Sequence, residues 1–388
     1  MGSKKYIKAD EIRLVHSGND YFDVLEKIIG EAKEIIHFHT YIFDGDETGI
    51  RIADALINAA ERNVQVNVLL DGYGSRKLSK KIVKRLLDSG INFRFFNLYF
   101  FQNIHIGRRL HHKIIVADQN IALIGGINIA NKYKGTKEEL PWLDYAILLK
   151  GKICEVVNKI CQEINQREFR KKKTSIITKH TEPETDFILA QFRVNDWLRG
   201  KNQIAASYFR EIRKAKHSIT IIASYFLPGL RLKKALIDAA GRGVEINIIL
   251  SGISDVPVFR VATSYLYRVF LNHSINIYEW KKSILHGKVA VIDNEWTTIG
   301  SFNLNHLSAF GSIELNVDVL DKTFAKSCSK HFMDVIENGC EKIEVKTNNN
   351  HSFFYRLKRA VAFYFTRTII KILALFPRIF SFYNKKFE

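Results

Sequence analysis

Residues 110–131 read LHHKIIVADQNIALIGGINIAN and residues 285–306 read LHGKVAVIDNEWTTIGSFNLNH, so one pattern of polar positions recurs 175 residues later. A second pair of stretches widens the repeat. RIADALINAAERNVQVNVLLDG at 51–72 aligns without a gap with RLKKALIDAAGRGVEINIILSG at 231–252. The chain is written twice. Within a copy the pattern changes type: Leu56, Ile57, Ala59 and Ala60 recur at helical spacing, and the strand-like run from Val64 to Leu70 follows them. This alternation predicts an α/β chain of two pseudo-symmetric repeats, each a mixed, mostly buried sheet covered by helices on both faces. The first lobe is expected over 1–165 and the second over 186–347. A linker over 166–185 joins them, where the sequence turns basic and polar from Gln166, and a tail follows over 348–388.

The 388 residues are 46% hydrophobic and carry a net charge of +19, which excludes a disordered chain and favours nucleic acid, anionic lipid or phosphorylated substrates as partners. Charge alone does not choose among these. Cys154 and Cys161 stand two helical turns apart and no CxxC pair occurs, so neither a disulfide nor a zinc framework is expected. The residues after Lys8 are too charged for an export signal, and no run of ~20 apolar residues is present to span a bilayer.

The repeated polar positions are His111, Lys113, Asp118, Gly125, Gly126 and Asn128 in the first copy. In the second they are His286, Lys288, Asp293, Gly300, Ser301 and Asn303. Their neighbours have diverged, as Asn120-Ile121-Ala122 against Glu295-Trp296-Thr297, so these positions are retained for chemistry rather than for the fold alone. On a strand, side chains two apart share a face, so His111 and Lys113 project together while His112 points the other way. Asp118 and Asp293 complete the candidate catalytic set, although alternation turns Asp118 to the face opposite Lys113. The residue types suit attack on a phosphodiester. One neutral imidazole can attack phosphorus, a second, protonated, can give its proton to the departing alcohol, and lysines and amides can gather the phosphoryl oxygens.

Two HxKxxxxD motifs are the signature of the phospholipase D superfamily, which the sequence resembles along nearly its whole length. It is most similar to the shorter cardiolipin synthases that lack N-terminal transmembrane helices, through LLDGYGS from Leu69, SYFLPG from Ser224, LHGKVAVID from Leu285 and IELNV from Ile313. The resemblance implies the phospholipase D fold, His111 as nucleophile and His286 as general acid, with neither metal nor other cofactor. It also implies a carboxylate behind each histidine, for which Asp144 and Glu314 stand at corresponding places. Lys113, Lys288, Asn128 and Asn303 would bind phosphate. The implied reaction is phosphatidyl transfer to phosphatidylglycerol with release of glycerol, giving cardiolipin. Hydrolysis, or cleavage of nucleic acid, is the alternative. Partners are then anionic phospholipids (phosphatidylglycerol and cardiolipin) at the cytoplasmic side of the cell membrane, where the protein is expected as a peripheral component, with no nucleic acid expected.

Three further stretches bear on lipid. Leu98 to Phe101, with Ile104, Ile106, Arg108 and Arg109, sets aromatics beside arginines as at a headgroup boundary, or else fills the core. The run from Pro257 to Leu271 lines an acyl groove or packs on the sheet. In the tail, helical pitch puts Arg356, Arg359, Arg367 and Lys371 on one side and Val361, Phe365, Ile369, Ile372 and Phe376 on the other. This is a basic amphipathic helix of the kind that lies in a membrane interface, and a helix docked on the enzyme gives the same pattern.

Overall fold

The computed structural model describes residues 6–96, 109–165, 187–196, 199–305, 308–309, 311–344 and 353–384. The Leu98–Arg108 stretch and the linker expected at 166–185 lie outside the described residues. The first half of the chain supplies β1 (Ile7–Lys8), β2 (Glu11–His16), β3 (Ile35–Thr40), β4 (Gln65–Asp71), β5 (Asn92–Phe96), β6 (Arg109–Leu110), β7 (Lys113–Ala117), β8 (Ile121–Gly125) and β9 (Tyr145–Lys150). The second half supplies β10 (Leu189–Asp196), β11 (Lys201–Asn202), β12 (Ser218–Ala223), β13 (Glu245–Ser251), β14 (Asn276–Trp280), β15 (Lys288–Ile292), β16 (Trp296–Gly300), β17 (Ser312–Leu320) and β18 (Cys340–Lys342).

Seven strands form a mixed sheet in the order β2-β9-β8-β7-β3-β4-β5. The second sheet repeats it as β10-β17-β16-β15-β12-β13-β14, so the duplication extends over every main strand. In both sheets the first two parallel strands are joined by a crossover through a helix, Glu47–Glu61 between β3 and β4 and Leu230–Gly241 between β12 and β13. The second sheet also takes in two strands from the first half of the chain: β1 pairs with β10, and β6 with β17.

Every residue of β7 and β15 is buried, as expected of central strands with both faces covered. The outer face of the first sheet packs on helices Asn19–Glu31 and Glu47–Glu61 through Leu25, Ile29, Ile52 and Leu56. The outer face of the second packs on Gln203–Lys214 and Leu230–Gly241 through Ile204, Tyr208 and Leu236. Between the sheets, Ile114, Val116, Ile124 and Ile147 of one join Ile222, Val289, Ile299 and Leu315 of the other in a single core. Each such side chain contributes about 1.5–3 kcal/mol relative to exposure, so the seam between the lobes is a core in its own right.

Pro257–Ser264 and Tyr267–Leu271 are helices whose Ala262, Leu266, Tyr267 and Phe270 belong to the second lobe's core, so this stretch packs on the sheet. The C-terminal helix Phe353–Asn384 lies against Pro257–Ser264. It buries Phe363, Thr366 and Ile370, with Phe363 stacked on Tyr265 at 4.7 Å. Its opposite side exposes Phe354, Leu357, Val361, Phe365, Ile369 and Ile372. The helix therefore carries two apolar faces, one docked and one open.

Asp118 and Asp293 do not reach the histidines, which corrects their place among the candidate catalytic residues. Both lie at the far ends of β7 and β15 in the left-handed region, at φ 50° and 54°. Each carboxylate there accepts three successive backbone N–H groups: Lys33, Glu34 and Ile35 at 2.9–3.0 Å for Asp118, and Lys216, His217 and Ser218 at 2.8–2.9 Å for Asp293. These bonds pin the hairpin turn to the start of the neighbouring strand. Burial opposes ionisation of Asp118, but the donors of Ile35, Lys33 and Glu34 prevail and hold it below the usual carboxylate range. A depressed carboxyl contributes stability that is present above its unfolded value near ~4 and is lost as pH falls through the folded value. Asp118→Ala and Asp293→Ala should each cost about 1–3 kcal/mol in denaturant unfolding at pH 7, a cost that shrinks for Asp118 in acid. A fall in turnover with no change in the unfolding midpoint would contradict this structural role.

Candidate active site

Each motif histidine is held by the opposite lobe. β6 runs parallel to the start of β17, pairing Leu110 with Ile313, and the His111 N–H donates to the Ile313 carbonyl at 2.9 Å. On the other side of the seam Leu143 bridges Leu285, and the His286 N–H donates to the Leu143 carbonyl at 2.7 Å. One residue beyond Ile313 is Glu314, and one beyond Leu143 is Asp144. The carboxylates accordingly cross: His111 Nδ1 lies 2.9 Å from Glu314 Oε2, and His286 Nδ1 lies 2.6 Å from Asp144 Oδ2. With Nδ1 committed as donor to a carboxylate, Nε2 is the reactive nitrogen of both rings.

The residue before each histidine is fixed as well, by positions that close the other repeated stretch. Asp71, at the end of β4, accepts the Leu110 N–H at 2.9 Å together with those of Tyr73 and Gly74. Its counterpart Ser251, at the end of β13, accepts the Leu285 N–H at 3.2 Å. The motif reading passed over both residues, although the aligned endings LLDG and ILSG carried the signal.

Lys113 and Lys288 are buried beside the histidines, and each Nζ donates to the carbonyl of its own motif histidine. The Lys288 Nζ also lies 3.7 Å from Asp144 Oδ2. Burial pushes Lys113 down to about 7 and lowers Lys288, with Glu314 and Asp144 respectively the first of the groups that oppose the shift. Both histidines are likewise held low by burial, His286 further by Lys288 and Lys113, while Glu314 opposes the shift at His111. Burial raises Asp144 to about 6 against the pull of Lys288. Without substrate the site thus holds both imidazoles toward their neutral forms, with two buried lysines next to where phosphoryl oxygens would gather.

The two halves differ in detail. Ser301 Oγ donates to Glu314 Oε2 at 2.5 Å, whereas at the equivalent Gly126 a Cβ would come within 2.4 Å of Asp144 Oδ1. Glycine is required there so that the shorter carboxylate can seat behind His286. The Asn128 carboxamide accepts from Ile42 N at 3.0 Å and donates to Tyr133 Oη at 2.8 Å, and Asn303 Oδ1 accepts from Ser224 Oγ at 2.9 Å. His112 turns away from the site and stacks on His39, its Nε2 3.1 Å from His39 Nδ1.

Comparison with known proteins gives the family. The family model described as cardiolipin synthase, PLD-like domain, matches residues 25–167 and 208–336. Cardiolipin synthase B of Escherichia coli (strain K12) is 32% identical over 379 residues, covering 95% of this chain and 91% of the relative. A cardiolipin synthase of Clostridium perfringens (strain SM101) is 28% identical over 366 residues, or 92% and 76%. Among solved structures, the phosphatidylserine synthase of Haemophilus influenzae Rd KW20 shares the fold at a TM-score of 0.76 and 13% identity, over 95% of this chain and 97% of that one. With the family model matched across both lobes and both histidine motifs brought to one seam, the chain belongs to the phospholipase D superfamily, in its cardiolipin synthase, PLD-like family.

Proposed function

We propose that the protein is a phosphatidyltransferase that moves a phosphatidyl group from one phosphatidylglycerol to the hydroxyl of another, releasing glycerol and forming cardiolipin. The observation that carries this reading is the pair of crossed histidine–carboxylate dyads sharing a seam with two buried lysines. His111 Nε2 attacks phosphorus, the bond from phosphorus to the glycerol oxygen breaks, and that oxygen takes the Nε2 proton of His286, which enters the step as the imidazolium once the anionic phosphodiester offsets the charge of Lys288 and Lys113. The second step reverses these roles. His286 takes the proton from the incoming hydroxyl, the new P–O bond forms, and the bond from phosphorus to His111 breaks. Glu314 and Asp144 hold the tautomers and stabilise the imidazolium forms, while Lys113 and Lys288, with Asn128 and Asn303, balance charge on the phosphoryl oxygens. Water could take the place of the second alcohol, so a site sheltered by lipid favours transfer over hydrolysis.

The C-terminal helix supports a lipid rather than a nucleic-acid substrate. Its open apolar stripe exposes Phe354, Leu357, Val361, Phe365, Ile369 and Ile372 with Lys358 among them, which suits the interface of an anionic bilayer. No helix among the described residues is long and apolar enough to cross a membrane. The open stripe supports our reading of the protein as a peripheral component on the cytoplasmic side of the cell membrane, with phosphatidylglycerol and cardiolipin as its lipid partners.

His111→Ala and His286→Ala should each cut cardiolipin formation by about 10³-fold in a mass-spectrometric assay with phosphatidylglycerol vesicles, whereas His112→Ala should keep substantial activity. Equal loss at His112 would sink the assignment. The rate should survive a chelator, and a metal-restored rate would contradict that. Lys113 loses its charge as pH rises through about 7, so kcat/KM for the anionic substrate should fall on that alkaline limb. Lys113→Arg should remove the limb, because arginine stays charged; an unchanged limb would assign it elsewhere. At the helix, Val361→Asp with Ile369→Asp should abolish binding to anionic vesicles while leaving thermal unfolding unchanged. Phe363→Ala with Ile370→Ala should instead lower stability. The reverse pattern would refute the membrane-facing stripe.

A further inference from the structure

The two histidines sit in unequal surroundings. Among the described residues, one aromatic ring lies beside His111, that of Tyr41 at 4.9 Å between centroids. Among the same residues three lie around His286: Tyr133 at 5.4 Å, Trp142 at 6.0 Å and Tyr225 at 6.0 Å. Tyr225 Oη donates to both carboxylate oxygens of Asp255, at 2.9 and 2.7 Å. Aromatic faces with a carboxylate beside them are ordinarily a receptor for an ammonium group. Here the protein supplies its own. Lys132, on the short helix Asn131–Lys134, sets Nζ 4.4 Å from the centroid of Trp142 and 5.6 Å from that of Tyr133. Its charge acts on His286 and is balanced by Asp44 and Asp255. The second copy has Leu307 at the corresponding sequence position, so this cation is not an element of the repeat.

We propose that Tyr133, Trp142 and Tyr225 wall the subsite for the headgroup alcohol, and that Lys132 makes this subsite select a neutral, hydroxyl-bearing headgroup over an ammonium-bearing one. The inference rests on the phosphatidyl-transfer reading, in which His286 exchanges its proton with the alcohol. An ethanolamine or choline group entering beside His286 would meet a like charge already seated on the Trp142 face, in partly desolvated surroundings where such repulsion is strong. A glycerol group meets no repulsion. Its hydroxyls can donate to Asp255 and accept from Lys132, both of which stand at the partly open rim. Lys132 is thus a specificity-determining residue, distinct from the groups that act on phosphorus.

The test is a competition between donors. Full-length protein is given mixed micelles with equal amounts of phosphatidylglycerol and phosphatidylethanolamine, and released glycerol and ethanolamine are quantified by mass spectrometry. Lys132→Glu should shift the ratio of ethanolamine to glycerol upward by about tenfold or more, the scale that a single pocket contact sets between competing substrates, and Lys132→Met should fall between it and the parent. A merely structural role would lower both products together. An unchanged ratio in both variants, whatever the total rate, would overturn the proposal. A parent protein that releases neither headgroup would instead sink the phosphatidyl-transfer reading, and this subsite with it.

Discussion

The site depends on two hydrogen bonds that cross between lobes, His111 to Glu314 and His286 to Asp144. Neither lobe contains a complete dyad. The same seam supplies the backbone bonds that hold the histidines, from His111 N to Ile313 and from His286 N to Leu143. Catalytic geometry and lobe packing are consequently one constraint. A change that opened the seam would uncouple both histidines from their carboxylates at once.

The arrangement has an electrostatic cost. Lys113, Lys288, Asp144 and Glu314 are all almost fully buried, and ions taken from water are tolerated only when paired and hydrogen-bonded. Two cations and two carboxylates balance in formal charge, and burial still drives the lysines and histidines toward their neutral forms. That displacement suits the chemistry: a neutral imidazole is nucleophilic, and an arriving phosphate restores the charge on the lysines. Ser301 behind Glu314 and Gly126 behind Asp144 show how a duplicated scaffold accommodates two carboxylates of different length.

Much of this was legible in the sequence because the duplication repeats both the strand pattern and the spacing of the polar residues. Strand alternation alone separated His111 from His112 and turned Asp118 away from Lys113. The crossing of the dyads was not legible, since Asp144 and Glu314 occupy matching places in the two copies and sequence gives no preference between a partner in the same lobe and one across the seam. Asp71 and Ser251 escaped notice because their role, holding the backbone N–H ahead of each histidine, leaves no mark in residue type. The C-terminal helix was half legible: periodicity located the stripe from Val361 to Ile372, but Phe363, Thr366 and Ile370 dock through tertiary contacts that a pattern of period 3.6 does not contain.

Covalent capture of the phosphatidyl group at the seam is the step on which the chemistry turns. The most direct measurement is peptide mass spectrometry on full-length protein quenched during turnover of phosphatidylglycerol under conditions that preserve phosphoramidate bonds. The predicted result is a phosphatidyl mass on the peptide containing His111, localised to that residue and lost in His111→Ala. Sustained turnover with no adduct on either motif histidine, or an adduct that maps to His112, would contradict it.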